Sequence, residues 1–151
     1  DGTMVDQLVW LVGEGVFATM PTGPAAFPDP FDPSTGDLDT RARAYLDANC
    51  AGCHREDGAA RQSGLWLGVE ITDSVRLGVC KPPAAAGRGT GGRGQVIHPG
   101  DPDDSVLVFR VESDEPGVKM PELPTLLVHT EGAALLREWI AAMPPRDCSA
   151  P

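Results

Sequence analysis

Apolar residues recur at helical spacing in four stretches of this 151-residue chain, separated by segments rich in glycine and proline. In residues 3–17, Met4, Leu8, Leu11, Val12 and Gly15 share one side and Asp6, Gln7 and Glu14 lie elsewhere. That spacing predicts a short amphipathic helix ending in the Gly13/Gly15 region, with an apolar face that needs something to pack on. A second helix is predicted to begin near Asp39-Thr40, a good N-cap pair, and to run through Tyr45 toward Cys50. Ala42, Leu46 and Asn49/Cys50 mark its core-facing stripe. A third is predicted to start at Asp101-Pro102-Asp103-Asp104, where a capping Asp, an early Pro and first-turn acids precede Val106, Leu107, Phe109 and Arg110. The fourth is the clearest. Gly132, Leu135, Leu136, Trp139, Ile140 and Met143 share one face of residues 131–143, and Pro144-Pro145 end it.

The intervening segments read as loops. Met20 to Pro33 holds five prolines and Gly23, an ordered or semi-rigid linker. Leu65, Trp66, Leu67, Val69 and Ile71 alternate imperfectly, which predicts a loop with a helical turn rather than a strand. Gly87, Gly89 and Gly92 fit G-x-G-x-x-G, but Pro82-Pro83 stand where a strand should precede, and another Gly stands where a helix should open. That context is wrong for a dinucleotide site. The expected fold class is therefore all-α, with about four to five short helices joined by long Gly/Pro-rich loops. Residues 1–37 are expected to be an N-terminal extension and residues 38–151 the main domain.

Composition sharpens this picture. The chain is 41% hydrophobic but only 5% aromatic, a thin core for its length, and a large flat apolar cofactor would thicken it. Its net charge of −10 disfavours nucleic acid and anionic lipid and suits encounters with basic protein partners. No run of about 18 apolar residues is present, so no membrane span is expected.

The chemistry lies in Cys50-Ala51-Gly52-Cys53-His54. The order C-x-x-C-H is that of covalent haem c attachment: two thiols form thioethers to the porphyrin, and the adjacent imidazole takes one axial site on iron. A redox dithiol and half of a zinc site are the rival readings. Zinc needs further grouped ligands, and Cys80, Cys148, His98 and His129 are not grouped that way. For the sixth iron position the candidates are Met4, Met20, Met120, Met143, His98 and His129. Met120 is favoured, because Pro121 forces an extended backbone at Met120 in a loop before the last helix. Arg110, Trp66 and Arg88 are candidate partners for the haem propionates. Thioether attachment implies export, to the periplasm or the outside of a bacterial cell. The two remaining cysteines, Cys80 and Cys148, are expected to pair there. The chain opens at Asp1 without Met or signal peptide, which reads as a processed protein or a piece of a larger one.

An amphipathic helix ending in C-x-x-C-H, a K-M-P loop and a final helix bearing Trp139 together resemble the class I c-type cytochromes, over roughly residues 38–143. Ala42 and Leu46 match the small and bulky positions where that family's first helix crosses its last. R-A-R-A-Y-L-D-A-N-C-A-G-C-H, L-G-V-C-K-P-P-A-A-A-G-R-G, P-G-D-P-D-D-S-V-L-V-F-R, and M-P-E-L followed by V-H-T-E-G are similar to the C-terminal cytochrome region of larger secreted bacterial haem proteins. Ser63-Gly64-Leu65 stands where the family carries G-P-x-L. The resemblance implies a cytochrome c fold around one haem c, with His54 and Met120 as axial ligands, acting as a one-electron carrier rather than an enzyme. Redox proteins with basic docking surfaces are the implied partners. The alternatives are a haem enzyme or gas-binding module with an open or displaceable distal site, or an electron-relay domain of a multi-domain or filamentous assembly.

Overall fold

The computed structural model describes residues 5–21, 27–84, 86–122 and 126–149. Among them are four α-helices and no strand: α1 (Gln7–Gly13), α2 (Leu38–Leu46), α3 (Val106–Val111) and α4 (Thr130–Ala142). Helical periodicity thus located each of these four, but two starts differ from expectation. The cap of α2 is Asp37, whose side chain accepts from the Thr40 amide at 2.8 Å. Asp39 lies inside the first turn, and its carboxylate instead accepts from Trp139 Nε1 of α4 at 2.8 Å. Likewise, α3 begins only after Ser105 and has no side-chain cap. Its first amides, Val106 and Leu107, donate to the carbonyls of Gln95 and Val96 at 3.0 Å, so a neighbouring loop supplies the acceptors a cap would have given. Asp101 shapes the preceding turn, accepting from the Asp104 amide at 3.0 Å.

The core forms where α2 and α4 pack together and α3 and the loops close over them. Ala42 and Leu46 of α2, Leu136 and Ile140 of α4, and Ile97 from a loop are each fully buried, with Leu107, Val108, Leu65 and Leu67 around them. Gly132 is a close-approach position: a Cβ there would strike the Tyr45 ring and hydroxyl. The small residue at this contact therefore comes from α4 and the aromatic from α2, in addition to Trp139 buried on α4.

After Leu46 the backbone widens into one π-helical turn, Asp47–Ala51, which carries Cys50. Arg43 and Asp47 pin the following loop onto α2. Arg43 Nη2 donates to the carbonyls of Val69, at 2.7 Å, and Ile71, and the Val69 amide donates to Asp47 Oδ2 at 2.9 Å. The segment 56–77 is loop with a single 3-10 turn at Arg61–Ser63, as its broken alternation predicts.

At the amino end, α1 is capped by Asp6 but buries none of its residues, and Leu8, Val9 and Trp10 are about half exposed. Residues 28–36 lie against the helices. Arg41 donates to the carbonyls of Pro30 and Gly36, at 2.9 and 3.2 Å, and Phe31 stands edge-on to Tyr45 and His129. The Pro-rich stretch expected as a linker falls partly on residues 22–26, outside the described residues. Cys80 and Cys148 form the expected disulfide, tying the loop after residue 77 to the tail beyond α4.

Candidate functional site

A cavity of about 590 Å³ opens beside the π-turn, a size usual for a small-molecule or cofactor site. Cys50, Cys53 and His54 form one part of its lining, and Met120, far along the chain, forms another. Leu65, Leu67, Val96, Val106, Leu107 and Val111 make most of the remainder apolar, and Arg110, Gln62 and Glu122 add polar groups. A smaller cavity of about 190 Å³ shares Asn49, Cys50, Val111, Met120 and Pro121 with it and reaches Tyr45 and His129.

The motif is held by its own backbone. The amides of Cys53 and His54 both donate to the Cys50 carbonyl, at 3.1 and 2.9 Å, and the His54 carbonyl accepts from the Leu67 amide at 2.9 Å. Gly58 is required here, because a Cβ at that position would collide with the Cys53 carbonyl. Cys50 and Cys53 are free thiols. Cys50 is half-buried as a residue, but its thiol lies deep enough that burial, with a smaller contribution from Cys53, pushes its pKa up to about 12. Catalytic dithiols need the opposite shift, toward an available thiolate, so this environment argues against a redox-dithiol role. Burial, then the nearby positive charge of Arg110, holds the His54 imidazole below its ordinary pKa and favours the neutral ring that a metal ligand must be. Its Nδ1 lies 3.3 Å from Ser63 Oγ.

Of the six candidates for a second axial ligand, Met120 alone among the described residues lines the larger cavity. Met20 is exposed beyond α1, and Met143 follows α4 and packs on the core. His98 Nδ1 is 2.8 Å from Asp104 Oδ2, and His129 Nδ1 is 3.1 Å from the Tyr45 hydroxyl. Met4 falls outside the described residues. Met120 is half-buried, with its amide donating to the Arg110 carbonyl at 2.8 Å. No group of three or more His, Cys, Asp or Glu side chains gathers among the described residues, so a zinc site of four protein ligands has no basis in this arrangement.

Arg110 is the candidate propionate partner that reaches the cavity. Its Nε donates to the Val118 carbonyl at 2.8 Å, and it shares the cavity lining with Glu122, whose charge acts on it. Arg88 is engaged by Glu115 and the Pro116 carbonyl, and Trp66 lies under the Arg76 guanidinium at 3.4 Å. The glycine-rich loop, whose G-x-G-x-x-G spacing stands in the wrong context for a dinucleotide, has a packing role. A Cβ at Gly89 would sit 3.2 Å from the Arg110 guanidinium carbon, and one at Gly91 would press into Phe109.

A haem fits these residues: paired free thiols, a neutral imidazole and a thioether line one largely apolar cavity that also holds a cation. Comparison with protein families, with curated proteins and with solved structures finds no match to this chain.

Proposed function

We propose that the chain is a monohaem c-type cytochrome domain of the class I type, a one-electron carrier whose iron is held by His54 and Met120. The observation that carries this reading is the convergence of Cys50, Cys53, His54 and the distant Met120 on one apolar cavity. When bound, the haem supplies reversible one-electron chemistry between Fe(III) and Fe(II). The chain's own residues do the rest. Cys50 and Cys53 would anchor the ring through thioethers, and His54 and Met120 would hold the iron and keep substrates from it. Leu65, Leu67, Val106 and Leu107 exclude water from it, and Arg110 balances a propionate charge. Docking is transient, and the net charge of −10 draws basic redox partners. The Cys80–Cys148 disulfide supports an oxidising compartment, as thioether maturation outside the cytoplasm requires.

The deciding experiment is a pyridine haemochrome spectrum of protein produced with export and haem-attachment machinery. One haem c per chain, retained after denaturation and acid extraction, is the expected result. A haem that is absent or extractable overturns the reading. The reduced protein should also resist CO at neutral pH. Rapid CO binding would move the assignment to the gas-binding alternative.

A further inference from the structure

Three hydrogen bonds converge on one hydroxyl beneath His54. Ser63 Oγ lies 2.7 Å from the Ala60 carbonyl, 3.2 Å from the Leu65 amide and 3.3 Å from His54 Nδ1. A hydroxyl has one proton to give and two lone pairs to receive with. The shortest contact is to a carbonyl, which only accepts, so the Ser63 proton is committed to Ala60. The Leu65 amide only donates, and it takes one lone pair. His54 is left to the other lone pair, and toward that acceptor its Nδ1 must carry the proton. The imidazole is then fixed as the Nδ1–H tautomer, with the Nε2 lone pair free.

The serine is itself held in place. It closes the 3-10 turn Arg61–Ser63, which Gly64 leaves in the left-handed conformation (φ +58°), and the next residue, Leu65, is buried in the core. The turn and its buried anchor therefore place the hydroxyl before any ligand arrives.

We propose that Ser63 is the positioning residue for His54, selecting its tautomer and tuning the iron's reduction potential by accepting a hydrogen bond from Nδ1–H. This rests on the haem reading above. An imidazole that donates from Nδ1 is a more basic ligand through Nε2, and a more basic ligand stabilises Fe(III) over Fe(II). Ser63 thus holds the potential lower than it would be without the bond.

The test compares Ser63→Val with Ser63→Thr in the haem-loaded protein. The two side chains have the same shape and differ in the hydroxyl. Ser63→Val should shift the reduction potential to more positive values and speed solvent exchange of the His54 Nδ1 proton, read by ¹⁵N-edited NMR of the reduced state. Ser63→Thr should keep both near wild type. Haem-loaded Ser63→Val with unchanged potential and exchange overturns the tuning role and leaves the cytochrome reading intact. Should Ser63→Val not fold, the wild-type exchange rate decides: a His54 Nδ1 proton exchanging as fast as one on an exposed imidazole overturns the proposal. A wild-type chain that takes up no haem overturns the reading beneath it and the tuning role together.

Discussion

Single atoms decide much at this site. Under the proposed ligation the Met120 thioether binds the iron, and sulfur ligation would give the oxidised haem a weak far-red charge-transfer band. Met120→Ala should abolish that band, and its retention in the absorption spectrum would remove Met120 from the ligand set. At the contact of α2 with α4, Gly132 leaves room for the Tyr45 ring and nothing more. Gly132→Ala should cost about 1–3 kcal/mol by overpacking, read from denaturant midpoints. Adding Tyr45→Leu should recover part of the loss, a coupling that a double-mutant cycle measures. At this scale Cys50, Cys53 and His54 stood out in the sequence by order and spacing and Met120 by its place before Pro121, and all four line one cavity. It was not legible where a residue matters for what it touches after folding. Ser63 is a common loop residue, and Gly89 is one glycine of a run. Their roles come from contacts with His54 and Arg110 that no local pattern encodes.

Helices and turns show where local signals compete. Both Asp37 and Asp39 are credible caps for α2, and the structure divides the work between them. Asp37 takes the Thr40 amide, and Asp39 takes the Trp139 indole of α4. A sequence offers no means of foreseeing a partner a hundred residues away. Trp139→Phe should remove that bond and cost about 1 kcal/mol, with the core side of the ring retained. Asp37 also makes a pH prediction. Hydrogen bonds from Thr40 hold its carboxyl below the ordinary value of 3.8, with a lesser contribution from Arg41. A lowered folded-state pKa gives stability that is fully present above 3.8 and fades as the pH falls through the folded value. The stability difference between wild type and Asp37→Asn should thus be flat near neutrality and shrink in acid, as followed by circular dichroism against pH. For α3 the acids at Asp101–Asp104 predicted the helix start, but they form a turn and the helix begins only after Ser105. The Gln95 and Val96 carbonyls then satisfy the helix amides.

Across the whole molecule, a helix pair is held by a small core, and loops close over a cavity that interrupts it. A disulfide fastens the tail. The helical class follows from periodicity, and the Cys80–Cys148 pairing follows from counting the cysteines left beside the motif. Which loops would line the cavity could not be read, because long-range contacts rather than local preferences bring Pro83, Gly117 and Glu122 to the cavity that His54 lines. Cys148→Ser should lower stability by up to about 4 kcal/mol, since the bridge spans a sequence separation of 68. The net charge of −10 predicts that association with a basic redox protein slows as ionic strength rises, which stopped-flow rates at several salt concentrations would show. The bridge also governs the outcome of proteolysis. A protease that nicks the backbone once anywhere between Cys80 and Cys148 frees no fragment: the piece carrying Cys80 and the piece carrying Cys148 stay covalently joined. Cleaved molecules should run as intact chain on a non-reducing gel and come apart only when a reductant is added.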